Sequence, residues 1–308
     1  MTIDLSRLPA PSVVEPLDYE TILATIKADL LALAPELGEV LALESEPATK
    51  LCEVFAYREL LLRARINDAA RSTMLAYARG ADLDNLAALF GVKRLEGETD
   101  ARLRARTQLS LESYTTAGPI LSYRFHALSA SPRVADVTID SPKPGTVRIV
   151  VLAEPSEEDP EEDASVNPDY NPNGVPGQAL LDRVQAATSA EDVRPLCDTV
   201  MVVPAQVLNY VVEAALVLMP GPGVELTLAA AHAAATAYAQ AQFRLGQDIT
   251  VSGLKAALRQ SGVLRVNLIC PPLPDTGDIA QQDVLIAVAS HQAARCTQIT
   301  LHIEGAAS

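Results

Sequence analysis

From Pro47 to Arg79 the chain keeps a helical pattern for about thirty residues, with no glycine and no proline after Pro47. At 1.5 Å per residue that predicts roughly 45 Å of helix, well beyond the three or so turns usual in a globular domain. A helix of this length needs neighbours along all of it. Leu51, Val54, Phe55, Leu61, Leu62, Ile66 and Ala69 share one side, and Arg58 and Arg65, seven residues apart, fall in the middle of that stripe. Two placements satisfy these arginines: the guanidiniums snorkel along apolar surface to water, or they meet carboxylates of a partner chain across a helical seam.

The segment after the helix, "RGADLDNLAALFGVKR" at 79–94, reads as a helical corner. Gly80 can take the left-handed conformation that ends one helix. Asp82 is a good N-cap for the next, whose apolar face holds Leu83, Leu86, Leu89 and Phe90, and Gly91 closes it. Upstream, residues 1–17 are proline-rich and aperiodic and predict an extended arm; Asp18 caps a first helix, with Leu17 and Ile22 placed as a hydrophobic staple and Ile22, Ile26 and Leu30 on its buried face. Downstream, Thr99 opens a helix carrying Arg102, Arg104 and Arg106, and Pro119 opens another with Leu121, Phe125 and Leu128 on one side.

The period then changes. "VADVTID" (134–140) and "TVRIVVLA" (146–153) are β-rich and joined by "SPKPG", a hairpin-like connection. A helix over 178–189, strands over 198–204 and 206–219, an alanine-rich helix over 224–243, a helix capped by Ser252, and strands over 263–270 and 297–303 complete the pattern. "ALSASPRVADVTIDSP" and "ALRQSGVLRVNLICPP" both run from a helix end into a strand and then proline. The predicted class is α+β: an N-terminal helical region with one long helix, followed by α+β domains with short mixed sheets. The expected division is an arm at 1–17, a helical region at 18–130, a small α+β domain at 131–205 with an acidic loop at 154–177, and a C-terminal α+β domain at 206–308.

Chemistry is sparse. Aromatics are 4 % of the residues and tryptophan is absent, which disfavours an aromatic-lined ligand pocket. The net charge of −15 argues against a nucleic-acid binder. About half of it comes from Glu154 to Gly177, which carries eight acidic residues and no Lys or Arg. No run approaches the ~18 to 20 apolar residues of a membrane span, and no basic-then-apolar leader with a small-residue cleavage site is present, so a soluble, unexported protein without a membrane partner is expected. The four cysteines are far apart among apolar neighbours, as expected of reduced core residues. His126, His232, His291 and His302 are scattered, with no spacing that organises zinc or a nucleophile. Asp169, Asn171, Asn173 and Gly174 match the first half of a calcium loop, but the twelfth position is Leu180 instead of a bidentate Glu, and Pro176 interrupts the segment. A metal-binding or enzymatic α+β protein using that loop is the alternative function.

Four phrases, "LPAPSVVEPLDYETIL", "GADLDNLAALFGVKR", "VRPLCDTVMVVPA" and "LGQDITVSGLKAALRQSGVLRVNLICP", occur in an order and spacing that resemble the baseplate assembly protein J family of contractile phage tails and phage-derived tail particles. The resemblance spans nearly the whole chain. It implies a structural protein of the baseplate wedge, not an enzyme and without a cofactor, repeated around the tail axis. Its partners would be other wedge proteins and copies of itself, with the hub or spike complex and the sheath nearby, in an inner baseplate that rearranges before sheath contraction. It would be found in the baseplate of a virion or tail particle, assembled in the host cytoplasm. In that setting the corner at Gly80, Asp82, Leu83, Leu86 and Gly91 braces a helical arm, and Leu51, Phe55, Arg58, Leu62, Arg65 and Ile66 are the candidate partner interface.

Overall fold

The computed structural model of the protein describes residues 4–9, 11, 13, 15–115, 118–155, 171–219, 223–272 and 283–304. It separates into two compact units, one of residues 1–94 with 98–108 and one of 95–97 with 109–308. The class is α+β, with the long helix in the first unit and short mixed sheets in the second.

The first unit contains α1 (Tyr19–Leu33), α2 (Gly38–Leu41), α3 (Pro47–Ser72), α4 (Gly80–Ala88) and most of α5 (Asp100–Leu109). Asp18 caps α1 as expected, its carboxylate accepting from the amides of Glu20 and Thr21. Ile22 is buried, whereas Leu17 stays half exposed. Helix α3 is 26 residues long and stops at Ser72, seven residues short of the expected Arg79. The Ser72 and Thr73 hydroxyls donate back to the carbonyls of Ala69 and Ala70, and the chain breaks into turns through Ala78. Arg104 of α5 then donates to the carbonyls of Leu75 and Ala78, both at 2.7 Å, so those turns are held from a helix about thirty residues away.

Gly80 does adopt positive φ, +51°, but it begins α4 and does not end α3. Its amide is taken by Asp100 Oδ2 at 3.1 Å, and Asp82 is the third residue of the helix, acidic in the first turn, in place of its expected role as cap. Leu83 and Ala87 are the buried residues of α4; Leu86 and Phe90 are intermediate and Leu89 is exposed, so the apolar face is rotated toward the alanine. Gly91, at φ +69°, ends α4 in a Schellman closure: its amide bonds to Ala88 O and that of buried Val92 to Ala87 O, both at 3.0 Å.

The second unit opens with α6 (Ile120–Ala130), which packs on the sheet that follows it; the compact division places this helix with the strands instead of the N-terminal helices. Strands β1 (Val134–Lys143), β2 (Thr146–Ala153) and β3 (Thr199–Pro204) form a sheet in that order, antiparallel then parallel, with α7 (Gln178–Thr188) beside α6. Residues Val134, Val137, Ile149 and Val151 meet Tyr123, Ala127, Leu180 and Val184 of the two helices. The opposite side of β2, Val150 and Leu152, is covered by Ala205, Ala293, Phe243 and Leu245, which is why "TVRIVVLA" reads as a continuous apolar run.

A single residue, buried Ala205, separates β3 from β4 (Gln206–Leu218). β4 is the middle of a second sheet, between β6 (Val263–Cys270), antiparallel, and β8 (Gln292–Glu304), parallel. Tyr210, Val212, Ala214, Leu216 and Leu218 point to α8 (Val224–Gln242) and α9 (Val251–Leu258). Ala231, Ala235 and Ala239 let α8 lie close against this sheet. The true cap of α9 is Thr250, which accepts from Gly253 N; Ser252 instead donates, through Oγ, to Asp283. Two short strands that the pattern had not indicated, β5 (Ile249–Thr250) and β7 (Val284–Ile286), pair beside it. Of the cysteines only Cys52 is buried, and Cys197 is exposed, contrary to the expectation of four core residues.

The Schellman geometry makes Gly91→Val a specific test of the corner. A β-branched residue at φ +69° should cost about 1 kcal/mol or more. Thermal unfolding of the variant that matches the parent would contradict the role given to this turn.

Candidate functional site

Helix α3 is amphipathic in the inverted sense. The residues it buries within its own unit are Thr49, Cys52, Ala56 and Asn67, small or polar. Asn67 is the clearest case: its Nδ2 donates to Glu15 O at 2.9 Å and its Oδ1 accepts from Glu15 N at 3.0 Å, so one side chain satisfies both backbone groups of one arm residue. Arg63, one turn away, pairs with Glu59 at 2.5 Å and Glu15 at 3.0 Å. Tyr77 OH donates to Leu8 O at 3.0 Å. Glu15 of the arm is therefore tied to the polar side of α3, and Leu8 to the turns that follow the helix.

The apolar stripe faces the other way. Leu51 is 58 % exposed, Phe55 62 %, Leu62 64 % and Ile66 56 %, and Val54, Tyr57 and Leu61 are also exposed. Arg58 and Arg65 lie among them, exposed, with no ion pair to a carboxylate among the described residues. From Leu51 to Ile66 the stripe runs about 22 Å along the helix. Isolated exposed leucines are ordinary, but a continuous apolar stripe on one face of a helix is the kind of surface that another chain can cover. The structure thus brings the six candidate interface residues onto a single exposed face.

Helices α1 and α2 pack on α3, and beyond its end a set of ionic staples ties α4 to α5, which sequence periodicity presents only as a basic helix face. Arg94 reaches Asp84 at 2.6 Å, Asp100 at 2.7 Å and Glu98 O at 2.9 Å. Arg106, almost fully buried, grips the buried Glu98 carboxylate with two bonds of 2.6 and 2.7 Å and also donates to Lys93 O. The Gly80 amide first, and then the Arg94 guanidinium, hold the Asp100 carboxyl below its ordinary value. Its contribution to stability is whole above that ordinary value and is lost as the pH falls through the lowered one. The signal that could have found these staples is the pairing of Asp100 and Glu98 with arginines four to eight residues away.

The residues of the alternative site do not converge. Asn171 is buried and its Oδ1 accepts from Gly177 N at 2.9 Å, while Asn173 Oδ1 is bonded by Arg295. Asp169 and most of the acidic loop, residues 156–170, lie outside the described residues. No group of three His, Cys, Asp or Glu placed to hold a metal occurs among the described residues. An open cleft of about 790 Å³ runs between α8 and β8, lined by His232, Thr236, Gln240, Cys296 and Gln298. Among the described residues its hydroxyl and thiol serve the backbone: Thr236 Oγ1 donates to His232 O and Cys296 Sγ to Gln298 O at 3.4 Å, and burial raises the Cys296 thiol above its ordinary range, away from a reactive thiolate. Burial lowers the His126 imidazole below its ordinary value, with Asp192 acting in the opposite sense.

A model of the baseplate J-like N-terminal domain matches residues 44–98, which include α3 and α4, and a model of the baseplate J-like central domain matches residues 115–204. Baseplate protein J of Escherichia phage P2 is 42 % identical to the chain, in an alignment that covers 96 % of each.

Two measurements test the site. Arg106→Met leaves the Glu98 carboxylate buried without its bidentate partner and should cost about 3 kcal/mol in chemical denaturation; a loss near zero would remove Arg106 from the brace. Calorimetry with calcium should show no stoichiometric micromolar binding, because Asn171 and Asn173 already serve protein partners. Binding that disappears in Asp169→Ala would restore the calcium loop.

Proposed function

The chain belongs to the baseplate J-like family, and we propose that it works as a wedge component of a contractile tail or tail-like particle. A structural baseplate component is what the relationship to the phage P2 protein supports. The finer reading is that the chain joins other wedge proteins and further copies of itself around the hub, in the baseplate of a virion or tail particle put together in the host cytoplasm. It then takes part in the rearrangement that triggers sheath contraction.

The observation that carries this reading is the inverted face of α3. A helix whose unit covers its polar side and leaves Leu51, Phe55, Leu62 and Ile66 exposed is arranged to be completed by other chains. The staples of Arg94, Arg104 and Arg106 suit the same role, because a seam must hold its shape before its partner arrives.

The test pairs folding with assembly. In Arg58→Glu/Arg65→Glu both exchanged charges are exposed, so the isolated chain should fold with a change of less than ~0.5 kcal/mol per site. Circular dichroism checks that. In cells expressing the variant in place of the parent chain, complete baseplates should fail to form, since like charges then face the partner's carboxylates. Recovery of baseplates at normal yield would mean that the arginines only snorkel and that this face of α3 is not the seam.

A further inference from the structure

Resting on the reading of α3 as an assembly seam, the pattern on that seam says what closes it. Leu51, Phe55, Arg58, Leu62, Arg65 and Ala69 are separated by alternating steps of four and three, and all six are exposed. Over the six the spacing averages 3.6 residues, so they form one continuous stripe along the helix, and the alternating steps of four and three are those by which one helix packs along another. Val54 and Leu61 flank the seam on one side and Ile66 on the other, all exposed. Arg58 and Arg65 occupy the same position in successive heptads.

Closure by the same helix of a second copy is poor. A parallel copy in register sets each arginine against its own counterpart. An antiparallel copy centred on the six positions sets Arg58 against Leu62 and Arg65 against Phe55, and a shift by one layer sets Arg58 against Arg65. None of the six seam positions is Asp or Glu. Of the flanking carboxylates, Glu59 is held by Arg63 at 2.5 Å and Asp68 stands alone toward the end of the helix, too few for two guanidinium layers from each chain. A guanidinium buried there without a carboxylate costs several kcal/mol.

We infer that the α3 seam closes on a helix of a different chain, one carrying apolar residues at heptad spacing and two Asp or Glu residues seven apart that meet Arg58 and Arg65. The arginines then act in both senses, attracting the acidic helix and repelling copies of α3 that would otherwise close the seam alone. Each guanidinium offers a planar fork suited to bidentate capture of a carboxylate at the seam edge. Neighbouring copies can still join the assembly, provided the acidic helix supplies the carboxylates.

The probes are two designed helical peptides of about four heptads, with leucine and isoleucine at the seam positions and either Glu or Lys at two sites seven apart. Fluorescence anisotropy with the full chain should show the Glu peptide binding at least about tenfold more tightly than the Lys peptide. The preference should reverse in Arg58→Glu/Arg65→Glu. In sedimentation, the parent chain should not self-associate through α3, whereas Arg58→Leu/Arg65→Leu should. Equal binding of both peptides, binding of neither, or self-association of the parent that Leu51→Ser/Phe55→Ser/Leu62→Ser abolishes would overturn the acidic-helix occupant. The seam reading itself falls by a different result, normal baseplate yield from that triple serine variant.

Discussion

The rotation of a helix about its own axis is decided by what it buries, and in α3 that is decided by Asn67. Its amide satisfies both the N–H and the C=O of Glu15, at 3.0 and 2.9 Å, from a side chain that is 4 % exposed. If α3 turned by a quarter, the arm would lose both bonds, each with a net contribution of about 0.5–1.5 kcal/mol. Arg63, one turn earlier, reaches Glu15 from the same side. Once these polar contacts hold the inner face, Leu51, Phe55, Leu62 and Ile66 have no choice but to face outward. The exposed stripe is the counterpart of that inner face, where α1 and α2 pack against Thr49, Cys52 and Ala56 and the arm is hydrogen-bonded to Asn67.

Holding α3 at its far end is a different problem, because the helix unwinds at Ser72 into turns whose carbonyls need donors. Helix α5 supplies them. Arg104 covers two of those carbonyls, Asp100 takes the first amide of α4 directly and is tied to Arg94, and Arg106 closes on Glu98 beneath. A guanidinium can donate in several directions at once from a planar frame, which is what a junction of irregular backbone requires. The short Schellman-closed helix between Gly80 and Gly91 is clamped at its start by these side chains and at its end by its own backbone.

Local signals in the sequence were readable where the interacting groups are neighbours. Asp18 caps α1 through amides two and three residues on, and Gly91 takes positive φ to close a helix that ends beside it. Where the partner is remote, the same kind of signal misleads. Gly80 resembles a terminator, but its amide partner is Asp100, so it starts a helix. Ser252 resembles a cap, but Asp283 engages it and Thr250 does the capping. The apolar stripe of α3 was legible as a stripe; that it faces outward was not, because the buried side carries Thr49, Asn67 and Arg63, which no hydrophobic period announces. Strands β5 and β7, with two and three residues, are too short to show a period at all.

The passage from β3 to β4 through Ala205 alone has a mechanical meaning. The Ala205 amide bonds to Val151 O and that of Gln206 to His291 O, so hydrogen bonding continues across the junction and leaves no slack loop. β3 runs parallel to β2, and β4 runs parallel to β8 through a twelve-pair register. A tension applied along β4 reaches β3 without an intervening spring and loads both parallel ladders in shear, where the hydrogen bonds must yield together and cannot peel one by one. The two sheets of the second unit therefore meet without a hinge at this junction, and a displacement of β4 along its own axis is carried into β3 by continuous, hydrogen-bonded backbone.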